Sequence, residues 1–446
     1  MIPMLSHEDN ALMCEVDPGT PMHETMKRYW LPATLSSVLS GPDCDPVKVT
    51  LLGEDYVMFR DSNGKVGMLR ERCCHRGASL CLGRVEDGGI RCLYHGWKFD
   101  VNGRVLEMPN AKGENFLSRY SQPAYPTHEA ANVVWVYLGP ADKQPAFPRY
   151  PIFDLPLDQV VAQEWFVDAN YVQLLEGLVD SSHVGVLHQD SIVRRIKAAS
   201  KEGKLDAVYK QMADDLVPRL EVEETDYGFH YVAIRELNTD DGAVDVARIT
   251  AFAMPFINFV ATNSTMLAAV PVGNGKTLMF EFNWDWKRPF DAERTEQVLA
   301  YHGISDTILD NIGLSRKTYG KVERPNSANN YLQDRAAMRR SETFSGLPNF
   351  HPEDIAMAIS MGPISDRTKE NLVPSDQACV RMRRVLIESA RRVIDGKDPI
   401  GVQSEILPRG TQGSLRKGEA WQSVLAKQEN LNRSFGQFAA QLDIKK

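Results

Sequence analysis

The sequence lacks most of the features that would place it in a simple class. No run of 18 apolar residues occurs in its 446 positions, so no bilayer-spanning helix is expected. No basic stretch followed by an apolar core and a small-residue cleavage site opens it, so no signal peptide is expected. Cationic excess is missing too. A net charge of −8 argues against nucleic acid, whose phosphates need a basic surface. It leaves open either an acidic face for a basic redox partner or simple solubility. Cysteine is sparse, and its seven residues are an odd number for a disulfide framework. Repeats and low-complexity tracts are absent. A phosphate loop is excluded as well: Gly273 to Thr277 resembles its tail, but Val270 stands where the first glycine is required, in a hairpin context.

What is present is ordinary globular material, 43% hydrophobic and 25% charged, long enough for two or three domains. Up to about residue 150 the chain reads as short strands. Val47–Leu52, Tyr56–Phe59 and Val66–Leu69 are strand-like, and Asp61-Ser62-Asn63-Gly64 is a hairpin signal between the last two. The proline-rich stretch Pro140–Pro156 reads as a linker. Beyond it, Asn170–His188 places Val172, Leu175, Leu178, Val179 and Val186 at helical spacing. Strand-like runs follow through Trp286, with a hairpin at Asn274-Gly275, and the last third is helical, including Ala378–Ile394.

Four of the cysteines, Cys73, Cys74, Cys81 and Cys92, crowd into 20 positions, which suits metal binding in a reducing cytoplasm better than cross-links. Cys73-Cys74-His75 and Cys92-Leu93-Tyr94-His95 each offer a thiolate and an imidazole. A Rieske cluster requires two cysteines on one iron and two histidines on the other. A zinc finger fits less well, because its cysteines usually share one half of the motif and its histidines the other. Neutral imidazoles in place of thiolates also raise the potential of such a cluster.

A second constellation lies on the predicted helix. Asp180 and His183 are three apart and share a face, with Glu176 one turn earlier. His188 is five beyond His183, which on a regular helix points about 140° away. Both imidazoles reach one metal only if the helix ends or bulges near Gly185. Two histidines and a carboxylate on one side of a metal leave positions open for dioxygen, the arrangement of non-haem Fe(II) oxygenases.

Over essentially its whole length the chain resembles the Rieske aromatic-ring hydroxylating oxygenases. Both ligand loops match, Cys73-x-His75-Arg76-Gly77 and Cys92-x-x-His95-Gly96-Trp97, although Cys74 replaces the usual proline. The run Glu176-x3-Asp180-x2-His183-x4-His188 is similar to the family's iron motif. The segments Pro18–Met22, Arg28–Ala33, Glu223–Gly228 and Ser360–Arg367 look like the phthalate and 3-chlorobenzoate dioxygenase branch.

The resemblance implies an α+β fold. A small antiparallel β Rieske domain, residues 1–150, precedes a catalytic domain, residues 151–446, of antiparallel sheet covered by helices in the helix-grip manner. It implies a 2Fe–2S cluster on Cys73, His75, Cys92 and His95, with Cys74 a buried free thiol. It implies a mononuclear Fe(II) on His183, His188 and a downstream carboxylate, for which Asp354 is the first choice and Asp366 and Asp376 compete. Asp180 becomes the carboxylate that bridges towards the incoming electron. The partners implied are a flavin and iron–sulfur reductase, dioxygen, and further copies of the chain in trimers or stacked hexamers. The expected reaction is hydroxylation of an aromatic carboxylate to a cis-dihydrodiol. Monooxygenation or O-demethylation at the same iron is the alternative, and a non-catalytic electron carrier with a ligand-binding domain the rival. For the substrate carboxylate, Arg248 on a strand face with Val246, Thr250 and Phe252 is chosen, with Arg194, Arg195 and Arg219 as alternatives.

Overall fold

A computed structural model describes residues 5–111, 114–201, 207–239, 242–262, 264–403, 409–416 and 418–427. Two short helices open it: α1 (His7–Cys14), capped by Ser6, and α2 (Pro21–Met26), capped by Thr20 with proline in its first turn. The strands that follow are β1 (Trp30–Leu35), β2 (Val47–Leu51), β3 (Glu54–Arg60), β4 (Val66–Arg70), β5 (Arg84–Glu86), β6 (Gly89–Arg91), β7 (Lys98–Phe99), β8 (Val105–Glu107), β9 (Ala124–Tyr125), β10 (Thr127–Ala130) and β11 (Val133–Tyr137). They form three antiparallel sheets, ordered β1-β11-β10, β2-β3-β4-β9 and β5-β6-β7-β8. The Asp61–Gly64 turn joins β3 to β4, with Asp61 Oδ1 accepting from Asn63 and Lys65 amides and Gly64 at φ 80°.

The continuous apolar run in β3 has a plain cause. Strand side chains alternate: Tyr56 and Met58 enter the main core, Val57 and Phe59 a smaller core with Leu69, Leu80, Ile90, Trp97 and Phe99. Both faces are covered, so no polar residue can interleave. The proline-rich stretch differs from the free tether its composition predicts. Ile152 is fully buried, and Phe147, Tyr150 and Phe153 pack around Trp135 with ring centroids 5.4–6.3 Å away.

The remaining strands are β12 (Val160–Val167), β13 (Arg219–Thr225), β14 (Gly228–Thr239), β15 (Gly242–Ala253), β16 (Ile257–Phe259), β17 (Thr265–Gly273), β18 (Lys276–Trp284) and β19 (Thr411–Leu415). They build one antiparallel sheet, β12-β18-β17-β16-β15-β14-β13, with β19 added to β15. Its helices are α3 (Tyr171–Val179), α4 (Val184–Leu187), α5 (Gln189–Lys201), α6 (Ala207–Asp214), α7 (Ala292–His302), α8 (Asp306–Asn311), α9 (Arg335–Arg339), α10 (Phe350–Ser360) and α11 (Gln377–Ile394). Among the described residues no helix is long and apolar enough to cross a membrane. The α+β expectation, an antiparallel β region followed by a large helix-covered sheet, is what the structure contains.

The start of α3 is pinned from three directions. Asn170 caps it by accepting from the Val172 amide, and its Nδ2 donates to the carbonyls of Cys14 and Asn274 at 2.8 and 2.6 Å. Thr277 Oγ1 donates to the Ala169 carbonyl. The Asn274-Gly275 hairpin therefore acts as a clamp on the helix that leads to the iron motif.

Candidate metal centres

The two cysteine–histidine loops are near copies of each other. The Cys73 amide donates to the Ala78 carbonyl at 2.9 Å and the Cys92 amide to that of Trp97 at 2.8 Å. The Gly77 and Gly96 amides close the turns onto Cys73 and Cys92 carbonyls at 2.8 and 3.0 Å. Both glycines have positive φ, 73° and 75°, a conformation that explains their presence. Cys73 and Cys92 are buried and adjacent, while the rings of His75 and His95 lie 4.4 Å apart and half-buried. Trp97 stacks on His75 at 4.6 Å. Two inward thiols below two outward imidazoles form the donor set that the cluster needs.

Cys74 departs from expectation: it is exposed, not buried. Its thiol is nevertheless hydrogen-bonded to that of Cys73, and its amide is held by Gln122 Oε1 at 2.7 Å.

The predicted helix over 170–188 is also broken, and not at Gly185. It ends at Val179, with Asp180 at φ −90° and ψ 117°. The chain turns through Ser181 and Ser182, restarts as the single turn α4, and leaves helical geometry again at His188. His183 and His188 flank that turn, which brings their rings to 5.1 Å. Gly185 lies inside α4 for another reason: a Cβ there would fall 2.4 Å from the Met212 carbonyl. The turn is held by Arg235, 1% exposed, whose guanidinium donates to Ser181 O at 2.7 Å and Ser181 Oγ at 3.1 Å.

Asp354 enters from α10, just past its first turn. Its Oδ1 stands 3.2 Å from His188 Nε2 and 3.6 Å from His183 Nε2. Asp366 caps a 3-10 turn and pairs with Lys369, and Asp376 bonds the Val373 amide, so neither joins the group. The second nitrogen of each imidazole is also held. Asp180 Oδ2 is 3.2 Å from His183 Nδ1, and Glu353 Oε2 is 2.7 Å from His188 Nδ1. Burial depresses His188, but Asp354 and Glu353 more than reverse this, to about 9. A site that holds a proton so firmly is equally suited to a divalent cation. Asp180 is raised by burial, yet His183 and Ser182 bring it down to about 2, so it is a carboxylate at neutral pH.

Two adjoining cavities, about 280 and 180 Å³, share Asp180, His183, His351 and Asp354 in their walls. The smaller is also lined by Arg248, Thr250, Tyr231 and Leu267. Arg248 Nη1 lies 2.6 Å from Met212 Sδ. Arg194 is exposed and bonds Ser191 and Asn349, Arg219 pairs with Glu221, and the side chain of Arg195 lies outside the described residues. A larger hollow of about 520 Å³, between α1 and α11, is lined by four arginines, of which Arg381 pairs with Glu224, Arg383 with Glu176 and Arg391 with Asp9.

Residues 29–126 match the family described as Rieske 2Fe-2S domain, and residues 136–441 the family described as LigXa C-terminal domain like. The phthalate 4,5-dioxygenase oxygenase subunit of Pseudomonas putida is 35% identical over 91% of this chain and 90% of its own. The chain belongs to the Rieske non-haem iron oxygenases. The 3-chlorobenzoate-3,4-dioxygenase oxygenase subunit of Comamonas testosteroni is likewise 35% identical, over 94% of this chain and 97% of its own. Among solved structures, the NdmA QL mutant of Pseudomonas putida CBB5 with caffeine superposes with a TM-score of 0.57, covering 87% of this oxygenase and 99% of that chain at 18% identity. At that identity the likeness speaks for the fold alone.

This oxygenase is therefore an oxidoreductase with a Rieske 2Fe–2S cluster and a mononuclear iron, and the donor sets just described fit both groups. Sequence reasoning assigns no role to Glu353, which stands behind His188, or to three residues of the cavity, Glu281, His302 and His351. His302 and His351 carried no signal, being single histidines far from any motif. Glu281 did carry one: a charge inside the apolar run Met279-Phe280-Glu281-Phe282 is rare unless it is paired.

Proposed function

We propose that this oxygenase hydroxylates an aromatic carboxylate to a cis-dihydrodiol, fed by a flavin and iron–sulfur reductase. The observation that carries the reading is Arg248: a cation on the wall of the cavity that also holds His183, His188 and Asp354. In an otherwise largely apolar pocket a carboxylate needs such a partner. Cys73, His75, Cys92 and His95 hold the cluster; His183, His188 and Asp354 hold the iron. When bound, the cluster supplies single electrons and the iron activates dioxygen. The chain's own groups do the rest. Arg248 anchors the carboxylate and so fixes which ring edge faces the iron ligands. Leu178, Leu267 and Phe350 line the cavity and exclude water. Asp180 holds His183 through Nδ1, with its own Oδ1 fixed by the Ser182 amide and hydroxyl at 2.7 and 2.6 Å.

Residues 1–150 form the electron-accepting part and residues 151–446 the catalytic part. The chain works as a trimer or stacked hexamer in which each cluster faces a neighbour's iron, with Asp180 between His95 of one chain and His183 of the next. In support, the Tyr94 ring lies 3.9 Å from that of His95, and Tyr94 and its neighbour Leu93 are exposed apolar groups at 57% and 58%. A rim of that kind suits a protein partner. None of the seven cysteines is in a disulfide, which fits a reducing cytoplasm.

Turnover under ¹⁸O-labelled dioxygen tests the chemistry. A cis-diol with both atoms labelled is expected. A phenol with one label, or an unlabelled demethylated acid with the label in the released formaldehyde, would reassign the enzyme to monooxygenation or O-demethylation at the same iron.

A further inference from the structure

Glu281 lies on β18 and is 1% exposed. Its Oε2 accepts from His351 Nε2 at 2.5 Å, and its Oε1 from Asn283 Nδ2 at 2.6 Å and from His302 Nδ1. None of these groups belongs to either metal set, yet Glu281, His302 and His351 line the cavity that holds Arg248 and Asp354.

A second metal site is the first possibility to weigh, since two imidazoles and a carboxylate converge. The spacing speaks against it. Donors bound to one ion at about 2.0–2.2 Å stand roughly 3 Å or more apart, as Asp354 Oδ1 does from His188 and His183, at 3.2 and 3.6 Å. Glu281 instead touches His351 at direct hydrogen-bond distance.

An ionised carboxylate only accepts, so both bonded ring nitrogens carry hydrogens. Burial raises the Glu281 carboxyl, but His302 and His351 outweigh it and keep the group ionised. Burial lowers His302, and Glu281 more than restores it. With His302, the imidazole that Glu281 favours in its charged form, protonated, its charge balances the carboxylate. Of the two outer ring nitrogens, His302 Nε2 and His351 Nδ1, one is then a donor and the other an acceptor. Neither has a hydrogen bond among the described residues. Such a trio offers directed bonds without net charge. It suits a group that both gives and takes a hydrogen bond, and adds nothing for a second anion.

We infer that Glu281, His302 and His351 form a second substrate subsite, which takes a hydroxyl substituent on the ring. The inference deepens the aromatic-acid reading and rests on it for the carboxylate. The substrate class becomes hydroxybenzoate-like rather than dicarboxylate.

Calorimetric dissociation constants for the iron-loaded, full-length enzyme test this. The probes are benzoate, the three hydroxybenzoates, the three toluates, the three benzenedicarboxylates, and the neutral pair phenol and toluene. At one ring position the hydroxybenzoate should bind about tenfold more tightly than the toluate, with no gain for the dicarboxylate. In Glu281→Gln and His302→Gln that ratio should fall towards one while iron stays at three per chain. Should Glu281→Gln fail to fold, His302→Gln and His351→Gln decide. A hydroxyl preference absent in the wild type, or unchanged in the variants that fold, overturns the subsite. So does a fourth metal ion per chain that Glu281→Gln removes. If no acid binds, the aromatic-acid reading alone fails, and phenol against toluene still decides the subsite.

Discussion

Glu353 and His188 form a buried pair behind the iron motif: Oε2 lies 2.7 Å from Nδ1, with the two side chains 2% and 4% exposed. The bond fixes the ring so that Nε2 faces Asp354, and Ser345 Oγ holds the other oxygen of Glu353 at 2.5 Å. A carboxylate behind a ligating histidine sets its tautomer and strengthens it as a donor. Adjacent acids on α10 thus do different work, Asp354 in front of the imidazoles and Glu353 behind one of them.

Glu353→Gln should therefore weaken mononuclear iron binding by about 10–100-fold while leaving the cluster's electron-paramagnetic signal intact. Iron titration of the cluster-loaded protein measures this. An unchanged affinity would reduce Glu353 to a packing residue.

His183→Ala, His188→Ala and Asp354→Ala should each drop iron from three to two per chain, the two being the cluster's, which its four other ligands hold. Asp366→Ala, at a site remote from the cavity, should keep all three. Metal analysis beside the visible spectrum separates these outcomes, and full iron in Asp354→Ala would refute the third-ligand assignment.

If Arg248 anchors the substrate carboxylate, Arg248→Met should weaken acid binding by about 2–5 kcal/mol, the cost of a desolvated charge left without its partner. Calorimetry on the iron-loaded protein reads it. Equal affinity for every acid would leave Arg248 a structural contact of Met212.

Glu176, at the core of the molecule, accepts from Arg367 at 2.6 and 2.8 Å and from Arg383 at 2.6 Å. Burial raises its carboxyl, but Arg367 and Arg383 outweigh this and hold it below the ordinary 4.5. A depressed carboxyl stabilises the fold above its unfolded value and loses that contribution as pH falls through the folded one. Urea midpoints should drop as pH falls from about 5 towards that lowered folded value, and Glu176→Gln should flatten that slope. Arg367→Met, which leaves Glu176 with Arg383 as its one guanidinium partner, should cost about 1.5–3 kcal/mol at neutral pH. A wild-type slope matched by Glu176→Gln would place the acid sensitivity elsewhere.

Electron transfer between subunits is tested by hybrids. His95→Ala lacks a working cluster and Asp354→Ala a working iron, so each alone should be inactive. Co-expressed rings should regain turnover, because an intact cluster then faces an intact iron. Asp180→Asn should keep both metals and lose most turnover. Inactive hybrids beside active wild-type rings assembled the same way would mean transfer within one chain.

The sequence by itself determined the two metal motifs and the order of elements. The proposed cluster ligands are local: Cys73 and His75, Cys92 and His95 sit on short loops whose glycines close the turn whatever surrounds them. The hairpins at Asp61–Gly64 and Asn274-Gly275 and the helix Gln377–Ile394 were legible for the same reason, since turn residues and periodic apolar positions act within a few residues. Tertiary structure decided the rest. The break at Asp180, where periodicity predicts continuous helix, is held by Arg235 from β14. Gly185 answers the approach of α6, not a bulge. Glu353, Glu281, His302 and His351 meet their partners across 21 to 165 positions, and no spacing rule reaches that far. The pairing of a buried charge is a property of folded neighbours, so sequence can flag Glu281 as out of place in its strand, but only the packed structure supplies the two imidazoles that make it stable there.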